Sequence, residues 1–266
     1  MSLVDRKANK NGIPYLNKAN IEQIAADYLA SYNRSLLAHP ELLDIDDFAE
    51  NFLGITLDFA ELSNNGSILG MIAFSDCMIS AFDHEQNGIR YLAVSAGTAV
   101  IDSNVMIEHE YRGRYTIAHE CAHWIIHRPV RLIYPNQLEI CLDQATIDES
   151  KAIICRRNKT ANDTNSTRRI SDWREWQADY LAGCLLMPDM AVRNLAKSIK
   201  SKYQDIAQLS VRLSDGSEHN LLNASLIKKA SETFHVSCQA AEVRLKQLDL
   251  IHELNQNQLT FTALAT

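Results

Sequence analysis

The segment from Arg114 to Pro129, RYTIAHECAHWIIHRP, sets the tightest constraint on how this chain can fold. On a helix its apolar residues would point to every side: Ile117, Ala118, Cys121, Ala122, Trp124, Ile125 and Ile126. A helix that is apolar all round is a buried one. Yet this one carries His119, Glu120, His123 and His127, and buried polar groups need partners. His119 and His123 stand four residues apart, so both project from one face about one turn apart. Glu120 adjoins the first histidine and reaches the same side. H-E-x-x-H is the spacing with which two imidazoles bind Zn²⁺ while the glutamate takes a proton from the attacking water. The plain alternative is a chance match on an ordinary helix, and a third ligand decides between the two.

His127 does not supply that ligand. On a straight helix it lies roughly 12 Å along the axis from His119, whereas zinc–nitrogen bonds are about 2.0–2.1 Å. The longer layout H-E-x-x-H-x-x-G-x-x-H needs a glycine where Ile126 stands and a histidine where Pro129 stands. His127 reads instead as a helix-end histidine favoured by the helix dipole. The better third ligand is Glu175, in DWREWQADYLAGCLLMP. It would complete a His₂Glu site that leaves the fourth position to water. Asp179, one turn on, would accept the free N–H of a liganding histidine. Asp172 and Glu175 also fit a helix capping box; the upstream pair tips the balance toward the ligand.

Composition narrows the function classes. A formal net charge of -7 over 266 residues argues against general affinity for nucleic acid or anionic lipid. No uncharged apolar run approaches the roughly 20 residues of a membrane helix, so no membrane association is expected. The first twenty residues hold charges but no apolar core with a cleavage site. Six cysteines (Cys77, Cys121, Cys141, Cys155, Cys184, Cys238) are scattered without a C-x-x-C pair. That fits reduced thiols in a cytoplasm.

The periodicities predict a helix over 21–32 and a second over 44–54 that stops at Gly54. Short β-prone runs follow: ITLDFAEL, SILGMIAF, CMISAF and IRYLAVS. They read as a small, mainly antiparallel sheet. The histidine-bearing helix should end at Pro129, and 135–169 should be a polar, irregular loop. A helix from about Asp172 to Pro188 precedes a mostly helical remainder. The segment SLIKKASETFHVSCQAAEVRLKQLDLI can be read as helix–turn–helix with Ser237 as N-cap. Its charges nearly cancel, which makes a poor phosphate footprint. Val243, Leu245, Leu248 and Leu250 read more simply as core or partner-facing residues.

Two long motifs carry a family resemblance. RYTIAHECAH, and EWQADYLAGCLLMP downstream of it, resemble the paired signatures of the ImmA/IrrE metallo-endopeptidases, over roughly the first 190 residues. FHVSCQAAEVRLKQLDLI resembles a recurrent segment near the end of that family. Carried over residue by residue, the resemblance implies that His119, His123 and Glu175 bind zinc and that Glu120 is the catalytic base. Cys121 and Ala122 depart from the Leu-Gly of many members, on the side away from the metal. The resemblance also implies an intracellular protease acting on a helix-turn-helix repressor of a prophage, mobile element or stress response.

The expected fold is α+β. A gluzincin-like, zincin-like metallopeptidase domain over 1–210 should pack a small sheet on the metal-binding helix, ahead of a small helical region over 211–266. The expected activity is zinc-dependent cleavage of a protein partner. The rival is a zinc-containing regulator that binds a repressor or DNA without cutting it. An oxyanion donor is not singled out: Tyr115, His109 and Arg114 are unranked candidates.

Overall fold

The computed structural model describes residues 13–108, 110–133, 152–156, 170–202, 210–212 and 218–251. They fall into two compact units. The first comprises Met1–Asn33 and Leu43–Leu186, and the second Arg34–Leu42 and Met187–Thr266. The division expected at 210/211 comes later than this one. The helix after Pro188 packs with the helix at 221–234, which draws it into the C-terminal unit.

The first unit opens with α1 (Lys18–Asn33), whose Ile21, Ile24, Ala25 and Leu29 are buried. Next, α2 (Ile45–Asp47) is capped by the Asp44 side chain, which accepts from the Asp47 amide. It continues as a π-helical turn, Phe48–Phe52, and Gly54 at φ +68° ends it where expected. Strands follow: β1 (Thr56–Ala60), β2 (Ile68–Ala73), β3 (Cys77–Asp83), β4 (Gly88–Val94), β5 (Thr98–Asp102) and, further on, β6 (Ala152–Arg156). The main sheet has the order β1-β5-β2-β6. β2 runs antiparallel to both β5 and β6, whereas β1 is parallel to β5. β3 and β4 form a separate antiparallel hairpin. The expected sheet is therefore present, with one parallel pair and with two strands, β5 and β6, that the sequence reading did not propose. β6 lies in the stretch expected to be loop. AIIC is a four-residue apolar run inside a strongly polar window, and among the described residues its strand pairs with β2.

Strand periodicity gives the sheet two covered faces. Ala60, Met71, Ala73 and Val100 join Cys77, Ile79, Ala81 and Val94 of the hairpin in one buried cluster. On the opposite face lies α4 (Glu110–Ile133), which follows the short α3 (Ser103–Glu108) and packs against β2, β5 and β6. Its other side meets α5 (Ile170–Leu186), which in turn meets α1. This is why α4 is apolar all round: Ile117, Ala118, Cys121, Ala122, Ile125 and Ile126 are each at most 2% exposed. Complete burial of an aliphatic side chain contributes about 1.5–3 kcal/mol, so this helix anchors the unit. It does not stop at Pro129 but continues to Ile133. Proline removes one helical hydrogen bond at a cost of about 3 kcal/mol, a cost comparable to what the complete burial of one aliphatic residue earlier in the helix contributes.

The second unit holds α6 (Asp189–Lys202), a hairpin of β7 (Ser210–Arg212) and β8 (Glu218–Asn220), α7 (Leu221–Phe234) and α8 (Cys238–Gln247). Ser237 caps α8 by accepting from the Ala240 amide at 3.1 Å, as expected. Leu245 and Leu248 are buried, but Val243 is 49% exposed and is not a core residue. Arg244 is buried instead, and its Nε donates to the Met187 carbonyl at 2.9 Å. Among the described residues no helix is long and apolar enough to cross a membrane.

Gly97 ties the sheet to α4. Its φ is +86°, its amide donates to Ala73 and its carbonyl accepts from Thr56. A Cβ there would stand 3.3 Å from the Trp124 ring. Gly97→Ala should cost at least about 1–2 kcal/mol, read as a lower denaturant midpoint with unchanged slope. An unchanged midpoint would contradict this account of the turn.

Candidate metal centre

His119 and His123 project from α4 toward α5, one turn apart, and both rings are buried, as is Glu120. Glu175 comes from α5. The two Nε2 atoms are 2.9 Å apart. Glu175 Oε2 lies 3.2 Å from His119 Nε2, and its Oε1 lies 3.5 Å from His123 Nε2. Zinc–ligand bonds of about 2.0–2.1 Å in tetrahedral array place donor atoms about 3.3 Å apart. The three separations bracket that value. Three donors that the sequence places on two distant segments thus face one point at the spacing of a cation's coordination shell.

Asp179, one turn beyond Glu175, accepts from His119 Nδ1 at 2.9 Å. The ring's free N–H is thereby used, and its Nε2 faces the other donors. Asp172 lies inside α5, which begins at Ile170. Glu175 therefore has a place in the cluster rather than in a cap at Asp172. Tyr115 donates its hydroxyl to the Asp179 carbonyl at 3.0 Å, and Arg114 donates to the Leu43 carbonyl at 2.8 Å. Both oxyanion candidates are thus engaged in holding elements together; His109 lies outside the described residues.

Three residues that sequence reasoning did not place belong to this neighbourhood. Cys155, on β6, forms with His119 and Glu120 a second group whose donor atoms all lie within 4.8 Å of one another. His127 is not a helix-end residue but is buried in mid-helix. Its Nδ1 lies 3.0 Å from His123 Nδ1, and its Nε2 lies 3.1 Å from Gln177 Oε1. Gly70, on β2, faces Glu120: a Cβ there would meet Thr116 Cγ2 at 2.7 Å and Glu120 Oε1 at 3.2 Å. The strand must carry glycine at this point for the carboxylate to lie against it.

The electrostatics follow from burial and these contacts. Burial opposes ionisation of Glu175, but the imidazoles of His123 and His119 outweigh it and hold the carboxyl well below its ordinary range. Burial also opposes charge on His119, yet Cys155, Asp179 and Glu175 around it raise the ring's pKa. Burial lowers His123, against the pull of Glu175. His127 is pushed well below 6.5 by burial, with His123 and Arg174 adding to the effect. Glu120 is pushed up to about 8, chiefly by burial. Neither of its carboxylate oxygens has a hydrogen-bond partner among the described residues. A fully buried carboxylate without partners is costly, and a cation beside it would relieve that cost. The donor set and this orphaned carboxylate both fit a divalent metal.

Residues 151–246 match the family model of Peptidase M78, the IrrE N-terminal-like domain. The match is consistent with the ImmA/IrrE family and points to a metallopeptidase-like chain. It holds Glu175 and Asp179, while the H-E-x-x-H helix lies just ahead of it. No curated protein matches this chain.

The raised Glu120 makes stability depend on pH in the metal-free protein. Its folded value of about 8 exceeds the ordinary 4.5, so the folded state binds this proton more tightly. Its contribution is complete below about pH 4.5 and is lost as pH rises through about 8. Glu120→Gln cannot ionise. In chelator, its melting temperature should gain on wild type between about pH 5 and pH 8. A difference constant across that range would contradict the raised value.

Proposed function

We propose that this chain is a zinc-dependent endopeptidase with a gluzincin-like, zincin-like catalytic domain, acting in the cytoplasm on one specific protein partner. The observation that carries the reading is the convergence of His119 Nε2, His123 Nε2 and Glu175 at 2.9–3.5 Å from one another. These three would hold Zn²⁺, with Asp179 fixing the His119 ring. When bound there, zinc supplies a Lewis acid that polarises the scissile carbonyl and acidifies the attacking water.

Glu120 is the general base. Its carboxylate borders the cluster through His119, and Gly70 leaves room for it on the sheet side. Raised by burial, it is a stronger base than a solvated glutamate, and catalytic bases work best with a pKa near the operating pH. It takes a proton from the attacking water and delivers it to the leaving amine, so that the peptide bond breaks with the proton balance closed. The close cover of β2, α4 and α5 keeps Glu120 from bulk water, which strengthens each of these interactions.

The substrate class, a helix-turn-helix repressor of a prophage, mobile element or stress response, rests on the resemblance to ImmA/IrrE proteases. The free, scattered cysteines among the described residues fit a reducing compartment. The rival reading, a zinc-supported DNA-binding regulator, loses one of its few cations, because Arg244 is buried against Met187. A protein-docking role for the C-terminal unit is the better fit.

Two variants test the assignment. Glu175→Ala should lose bound zinc, as measured by metal analysis side by side with wild type. Glu120→Gln should keep its zinc but cleave a repressor encoded beside the gene about 10²–10⁴-fold more slowly. Undiminished cleavage by Glu120→Gln would remove it as the base. Full zinc content in Glu175→Ala would remove the third ligand.

A further inference from the structure

Beyond the metal cluster the structure holds a line of polar groups through the buried interior, near the buried cation Arg174. It runs from the Pro14 carbonyl to Gln177, from Gln177 to His127, and from His127 to His123. The distances are 2.8 Å from Gln177 Nε2 to the Pro14 oxygen, 3.1 Å from His127 Nε2 to Gln177 Oε1, and 3.0 Å between the Nδ1 atoms of His127 and His123. Pro14, Gln177, His127 and His123 are all buried. Three parts of the fold converge in it: the segment ahead of α1, helix α5 and helix α4.

The direction of every proton in this line is set at one end. A carbonyl only accepts, so Gln177 must turn its NH₂ toward Pro14; the reverse amide orientation would set two acceptors 2.8 Å apart. Its Oε1 then faces His127, so His127 must donate from Nε2. A neutral imidazole carries one N–H, which leaves His127 Nδ1 as an acceptor. The proton between the two Nδ1 atoms therefore belongs to His123. With its N–H at Nδ1, His123 presents an unprotonated Nε2, and that is the atom facing His119 and Glu175. We propose that His127 and Gln177 are positioning residues, which lock His123 in its Nδ1–H tautomer and so aim the Nε2 lone pair at the metal centre.

His119 and His123 are thus prepared by different means. His119 uses a carboxylate one turn beyond Glu175, partly exposed at 46%. His123 lies deeper, and a neutral relay suits that depth because it adds no second buried charge. The proposal rests on His123 being a zinc ligand, as inferred above, but the proton positions can be read in the absence of metal.

The test begins with the full-length, metal-free wild-type protein labelled with ¹⁵N at histidine. Long-range ¹H–¹⁵N correlation should show His123 protonated at Nδ1 only and His127 protonated at Nε2 only. His123 in the Nε2–H form, or His127 in the Nδ1–H form, would overturn the relay whether or not the protein binds zinc. Zinc affinity by chelator competition supplies the second arm. His127→Leu should bind about 10–100-fold more weakly. His127→Asn, whose Oδ1 can stand in for the accepting Nδ1, should recover most of the loss. Wild-type affinity in His127→Leu, or no recovery in a folded His127→Asn, would also overturn it. Wild-type protein that shows both expected tautomers yet binds no zinc would leave the relay standing and sink the metalloprotease reading.

Discussion

The structure depends on how four polar side chains are accommodated within a helix that has no exposed face over this stretch. Helix α4 lies between a sheet and a second helix, and its residues 116–127 are buried throughout. In such a place an unpartnered polar group costs roughly 1–3 kcal/mol, and a charge more. The chain meets that cost by drawing partners from α5: Glu175 and Asp179 for His119, Glu175 again for His123, and Gln177 for His127. One helix contributes Glu175, Gln177 and Asp179 within five residues. Packing α5 on α4 and building the site are therefore the same structural event.

Glu120 is the exception. It is the one member of the quartet with no hydrogen-bond partner among the described residues, and Gly70 keeps the adjacent strand from crowding it. A buried carboxyl without partners is destabilising when ionised and holds its proton tightly, a combination typical of functional sites.

Much of the centre was legible in the sequence because its signals are local. Two histidines four apart, and a carboxylate pair four apart on the next long helix, each define a face without knowledge of the fold. Burial of α4 followed from its all-round apolarity. What escaped had non-local causes. β6 was hidden by its polar surroundings, since a strand's identity here depends on pairing with β2, and Cys155 was hidden with it. His127 was misplaced because Pro129 read as a stop, whereas the helix runs on to Ile133. Gln177 carried no signal by itself; its meaning comes from Pro14, 163 residues away. Nothing in the sequence singled out Gly70, which takes its meaning from the approach of Glu120. Of the residues expected to be core or partner-facing, Val243 falls on the exposed side, and the burial of Arg244 escaped because its partner, the Met187 carbonyl, lies 57 residues away.

The account claims that a single cation is held by two imidazoles and one carboxylate, with Cys155 outside the shell although its sulfur lies beside His119 and Glu120. X-ray absorption at the zinc edge of the zinc-loaded full-length protein tests this most directly. The account predicts only nitrogen and oxygen scatterers, at about 2.0–2.2 Å, with the multiple-scattering signature of two imidazoles. A sulfur scatterer at about 2.3 Å would move Cys155 into the coordination shell and contradict it.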